Sequence, residues 1–175
     1  MILIILALAM PIAARADDPN AAKANSMVQT AINMTDSDQA VKLLWQATDL
    51  DPSLEQAYVY LALYYNSRSQ FDKVVQVYQK LLKVEPNNAT AYLNIGEAFM
   101  SYDPPKTSDA LPYYRKAFQL DPTSSFAALR IGEILAQQGD RADATNYLQQ
   151  AARDTTKNPD AAAEAQKALA QMGAM

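Results

Sequence analysis

The side chains able to do chemistry in this chain are few in kind. Histidine and cysteine are both absent, which removes thiolate nucleophiles, imidazole bases, Ser-His-Asp triads, disulfides and ordinary structural zinc sites together. Carboxylates remain. Two of them, Glu97 and Glu133, recur before apolar residues in "GEAF" and "GEIL". Facing each other, they would form a paired-carboxylate site of the kind used in acid–base work. Asn94 and Arg130 stand close by, and neutralisation by Arg130 is the simpler expectation. Asp72, Asp109, Asp140 and Asp143 lie near expected helix starts, where a carboxylate complements the helix dipole. They read as caps and solvated faces. No enzymatic activity, metal or cofactor is expected. The formal net charge is −4 with no basic cluster, so nucleic acid is not an expected partner, because phosphate binding needs grouped Lys and Arg.

The elements that would position these residues follow from composition and spacing. The chain has 175 residues, 50% of them apolar and 19% charged, a profile of one ordinary domain rather than a disordered or membrane-bundled chain. Only four glycines disfavour turn-dense β architectures. The segments "LLWQATDLDPSLEQAYVYLALYY", "YQKLLKVEPNNATAYLNIGEAF" and "YRKAFQLDPTSSFAALRIGEIL" say nearly the same thing three times. Pro52 to Pro86 is 34 residues and Pro86 to Pro122 is 36, a period that signals stacked supersecondary units. Apolar residues flank each proline at helical spacing. Each period therefore holds two amphipathic helices, and the proline disfavours α geometry at Asp51, Glu85 and Asp121 before it. Ser53, Asn87 or Asn88, and Ser124 are expected to cap the helices that follow.

The first residues, "MILIILALAMPIAARADD", are a different object. An apolar run from Ile2 to Ala14 ends in Ala14-Arg15-Ala16, small residues where a signal peptidase reads. This predicts a signal peptide over 1–16 cleaved after Ala16, with an uncleaved anchor as the other possibility. No Lys or Arg precedes the run, so the natural start could also lie upstream of Met1. The mature chain is expected to be periplasmic or secreted, without a stable membrane span.

The repeated residues resemble the tetratricopeptide repeat (TPR) family. Tyr58, Leu61, Ala62 and Tyr65 with Val74, Tyr78, Leu81 and Pro86 follow its pattern. So do Tyr92, Ile95, Gly96 and Phe99 with Ala110, Tyr114, Ala117 and Pro122. Ala128, Ile131, Gly132 and Leu135 with Ala144, Leu148 and Ala151 form a fourth unit. The first unit is clearest in Ala40, Leu44, Ala47 and Pro52. The resemblance implies an all-α, right-handed α-α superhelix of about four helix pairs, a solenoid, with repeats over 21–54, 55–88, 89–124 and 125–157. A short segment over 17–20 precedes them, and a C-terminal capping helix and tail over 158–175 follow. Small residues such as Gly96 and Ala110 would let paired helices approach closely. "SYDPPKTSDA" adds two residues to the third unit and is expected to project as a longer turn. Pro112 is expected near the start of the next helix, where it would break no hydrogen bond.

The resemblance also implies where a partner would bind: a concave groove lined by the first helix of each pair. By family register the groove-facing residues are Gln56, Val59, Tyr60, Leu63 and Asn66, then Thr90, Leu93, Asn94, Glu97 and Met100, then Phe126, Leu129, Arg130 and Glu133. One version of this groove is a clamp of Lys, Asn and Arg for the acidic C-terminus of a heat-shock chaperone. Asn94 and Arg130 match it, while Val59, Leu63 and Phe126 do not, so the clamp as a whole is not expected. An apolar strip with polar rims replaces it. Tyr60 and Tyr64 either anchor a partner or pack on the neighbouring unit. The expected function is a non-enzymatic adaptor for a partner protein or peptide in the bacterial cell envelope, as a monomer or weak homo-oligomer. The alternative is a carrier for a small hydrophobic ligand, favoured if Val59, Leu63, Leu93 and Phe126 line a closed pocket.

Overall fold

Apolar stripes at helical spacing, interrupted by proline, produce helices. The structure, a computed structural model, describes residues 18–173. Among the described residues run α1 (Pro19–Ile32), α2 (Ser37–Leu50), α3 (Glu55–Asn66), α4 (Phe71–Val84), α5 (Ala89–Met100), α6 (Thr107–Leu120), α7 (Ser125–Gln137), α8 (Arg141–Ala152) and α9 (Pro159–Gly173). The expected signal peptide and its cleavage point lie outside the described residues. The segment expected over 17–20 is already helical from Pro19, because Asp18 caps α1 by accepting from the Asn20 N–H at 2.9 Å. Proline at the first helical position has no bond to lose.

Each second helix stops where its proline requires. α2, α4 and α6 end at Leu50, Val84 and Leu120, and the next residues leave α geometry, with φ/ψ of −128/93 at Asp51, −125/70 at Glu85 and −131/88 at Asp121. Asn88 and Ser124 cap the helices after them, accepting from Ala91 and Ala127 N–H at 2.8 and 3.3 Å. Ser53 does not: its N–H and hydroxyl both donate to Asp51 Oδ1, at 3.1 and 2.9 Å, and α3 begins only at Glu55. Thr123 donates to Asp121 in the same way, at 3.0 and 2.7 Å. The carboxylate before the proline thus organises the turn itself.

The chain forms two compact units, one ending at Tyr64 and one beginning at Tyr65. In the first, α1 packs on α2, with Ala24, Val28, Leu44 and Ala47 buried. Tyr58 is buried as well, and its hydroxyl donates to the Pro52 carbonyl at 2.8 Å, which satisfies the polar tip of a large apolar ring. In the second unit α5 packs on α6, α7 on α8, and α9 on both α7 and α8. The expected role of glycine at the helix crossing holds. A Cβ on Gly96 would lie 2.6 Å from the buried Tyr114 ring, and one on Gly132 would lie 2.7 Å from Leu148 Cγ.

Two expectations about the third pair are corrected. The longer connection, residues 101–106, does not simply project. Tyr102 folds back, its ring 5.2 Å from Phe71 and 6.4 Å from Phe99, with its hydroxyl donating to Asp72 and the Lys106 ammonium 3.6 Å over its face. An aromatic ring with apolar neighbours in reach leaves water. Asp72, in the first turn of α4 and exposed as expected, is also the hydrogen-bond acceptor for the loop, and burial with that bond pushes the Tyr102 phenol up to about 12. Pro112 is not in the first turn of its helix. α6 begins at Thr107 and Pro112 lies inside it, so the Ser108 carbonyl loses its intrahelical donor. At the other end, Asn158 caps α9 by accepting from Ala161 at 3.2 Å, and Ala161, Ala162, Ala165 and Met172 are its buried stripe. Arg141 donates to the Met172 carbonyl, closing the last turn of α9.

Candidate partner-binding site

The expected site residues separate into three environments, set by which face of the helix each occupies. In the second unit, α5 and α7 bring Glu97, Arg130, Glu133 and Phe126 together. Arg130 donates from Nε to Glu97 Oε1 at 3.0 Å, from Nη2 to Glu97 Oε2 at 3.4 Å and from Nη1 to Glu133 Oε2 at 3.0 Å. Its guanidinium also lies 4.8 Å over the Phe126 ring. The buried Tyr114 of α6 completes the cluster by donating its hydroxyl to Glu97. Burial alone would pull the guanidinium down, yet the two carboxylates hold it above its usual value. Burial, with Glu97 as acceptor, pushes the Tyr114 phenol well up. The two carboxylates thus share one cation. The arrangement ties three helices together and does not present an acid–base pair.

The two residues that matched a carboxylate clamp are both engaged within the chain. Arg130 is engaged by its own chain, and Asn94 donates to the Thr90 carbonyl of its own helix at 2.8 Å. Leu129, expected in the groove, is 0% exposed and belongs to the core. It stands next to Ala128 on the face that α7 turns inward. Leu93 and Met100 are half-buried against the same core. Of the residues that would line a small-ligand pocket, Leu93 is half-buried against the core and Phe126 lies under Arg130, while Val59 and Leu63 are exposed.

In the first unit α3 has two outer strips. Gln56, Val59 and Leu63 face solvent, with Val59 41% and Leu63 58% exposed. Asn66, at the end of α3 and the start of the second unit, is exposed too. Tyr60 and Tyr64 are half-buried and wall a cavity of about 180 Å³ with Ala31, Ile32, Met34, Ser37, Ala40, Val41 and Leu44. Tyr64 donates to Asp38 Oδ1 at 2.5 Å. The two tyrosines therefore pack on α2, as one of the two expectations held, and still leave an opening beside them. Asp38, Ile32 and Ala40 were not among the expected residues. A signal existed, since 34 and 70 residues after Tyr64 the chain carries Ala98 and Ile134, both buried. Tyr64 stands in the equivalent place half-buried, with its hydroxyl on Asp38.

Among the described residues no group of three acidic side chains is placed to hold a metal, and no helix is long and apolar enough to cross a membrane. No curated protein matches the chain. Among solved structures, PilW, described as a widely conserved type IV pilus biogenesis factor, is 26% identical with a TM-score of 0.62, over 86% of this chain and 68% of its own. MamA is 18% identical with a TM-score of 0.62, over 91% and 86%. The TPR2B domain of yeast Sti1, solved as a complex with pHsp70, is 20% identical with a TM-score of 0.58, over 66% and 93%. A TPR repeat profile matches residues 63–101 and a tetratricopeptide repeat profile matches residues 106–172. With its helices, its proline period and its glycine crossings all in that pattern, the chain belongs to the tetratricopeptide repeat family.

Proposed function

We propose that the chain is a non-enzymatic adaptor of the bacterial cell envelope that holds a partner protein against the outer face of α3. The observation carrying this is the pair Val59 and Leu63, four residues apart and the more exposed face of a helix whose other side buries Ala57, Tyr58, Leu61 and Ala62. Large aliphatic side chains at helical spacing, turned to water beside half-buried tyrosines, suit the apolar face of a peptide or helix. The pHsp70 complex of the Sti1 domain supports holding a partner as a use of this fold. With the clamp's donors missing or engaged, the partner here is gripped by apolar contact instead of a bare carboxylate. The likeness to the pilus factor PilW and the signal-like residues 1–16 favour the envelope. As a small-ligand site the opening beside Tyr60 and Tyr64, about 180 Å³, falls short of the roughly 300–1,000 Å³ of ordinary ligand sites.

The test is cross-linked capture from an envelope extract with wild type and a Val59→Glu/Leu63→Glu double variant. Both side chains are exposed, so the variant should keep the wild-type helical circular dichroism. A defined protein captured by wild type and lost from the variant is the expected result. Recovery of the same proteins by both forms would remove α3 as the binding face.

A further inference from the structure

The cavity beside Tyr60 and Tyr64 has a shape and an electrostatic setting that specify more than a generic partner. Its walls are apolar over Ala31, Ile32, Ala40, Val41 and Leu44, and Ile32 at its edge is exposed. A cavity of about 180 Å³ accommodates one bulky aliphatic or aromatic side chain. Where Ala98 and Ile134 are buried in their units, Tyr64 is only half-buried. It stands against the start of α2, held by Asp38, and leaves the space over Ala40 unfilled. Asp38 thus places a carboxylate at the rim. Asp36, two residues away, caps α2 through Asp38 and Gln39 N–H, both at 3.0 Å, while Lys42 offsets part of this charge.

The wider setting has the same sign. Residues 18–64 carry six carboxylates against two lysines, a net of −4, whereas residues 65–173 carry twelve of each sign and sum to zero. The charge of the described chain therefore resides in the unit that contains the cavity. At the opening itself Asp36 and Asp38 stand against Lys42, a local net of −1, which favours a ligand of positive charge.

We infer that this cavity is the anchor site for a cationic peptide segment of the partner, which inserts one leucine-sized side chain beside Tyr60 and Tyr64 and sets a neighbouring Lys or Arg against Asp38. The inference rests on the adaptor reading and specifies the partner's chemistry. Val59 and Leu63, one residue round α3 from the two tyrosines, extend the apolar track beyond the anchor. An acidic segment would meet repulsion at the rim, and a segment without a bulky anchor would leave the cavity dry and unfilled.

The probe is a short fluorescein-labelled peptide with leucines at helical spacing among lysines, followed by fluorescence anisotropy. Two control peptides replace every lysine with glutamate or every leucine with alanine. Wild type should bind the leucine–lysine peptide and neither control, with affinity falling as salt is raised. Ala40→Leu fills the cavity from a helical position where leucine is a good helix former. It should weaken binding by about ten- to a hundredfold, the value of burying one aliphatic side chain. If Ala40→Leu does not fold, Asp38→Asn serves instead and should reduce both affinity and salt dependence. Equal binding of the lysine and glutamate peptides, or binding unchanged in these variants, overturns the inference. If these variants bind normally while Val59→Glu/Leu63→Glu abolishes partner capture, the adaptor stands and the anchor site falls. If neither set changes anything, both fall.

Discussion

Arg130 shows how one residue decides between binding and structure. A guanidinium beside an aromatic ring and two carboxylates has the components of an anion site, but here all of them come from the chain itself: Glu97, Glu133 and Phe126. The side chains of Arg130 and Glu97 are 25% and 34% exposed, so water screens the pair in part. Glu97→Gln should cost about 1–2 kcal/mol, between the values for exposed and buried pairs, and urea unfolding will measure it. The loss should shrink at high salt, and Tyr114 should keep an acceptor in the glutamine oxygen. A change within error would mean that the cluster adds nothing to stability. Its residues were legible as a group, because "GEAF" and "GEIL" repeat in register. Which of them would be satisfied internally was not, since that depends on the ring of Tyr114 arriving from a third helix.

At the scale of elements, local rules carry far. The prolines end helices where their ring clashes require, and the caps at Asn88, Ser124 and Asn158 follow from side-chain oxygens at the right offset. Failures have local causes as well as distant ones. Ser53 gives its donors to Asp51, Tyr102 leaves its loop for Phe71, and Pro112 sits inside a helix that began earlier than its pattern suggested. The turns after α3 and α7 close alike, with Gln70 N–H on the Tyr65 carbonyl and Asp140 N–H on the Leu135 carbonyl, both at 2.9 Å. Each needs one residue at positive φ, which is Ser69 at 54° in the first and Gly139 at 85° in the second. Only glycine adopts that geometry without a Cβ penalty. Ser69→Gly should therefore raise stability by about 1 kcal/mol and Gly139→Ala lower it by about the same, read as opposite shifts of the urea midpoint. Shifts of one sign in both variants would show that the turns are not equivalent.

For the whole molecule, export is a statement about residues 1–16 rather than about the helices. The full chain expressed in a bacterium should be recovered from the periplasm with Asp17 as its first residue, by intact mass and N-terminal sequencing. Recovery from the cytosol with Met1 retained would sink the envelope assignment. The sequence by itself determined the helix content, the repeat and the family, because periodicity and proline clashes act over a few residues and recur along the chain. Only the tertiary structure decided that Leu129 lies in the core, that Arg130 is already satisfied and that a cavity opens beside Tyr64. Those outcomes depend on which side chains from distant helices reach the same space first, and no local pattern encodes that competition.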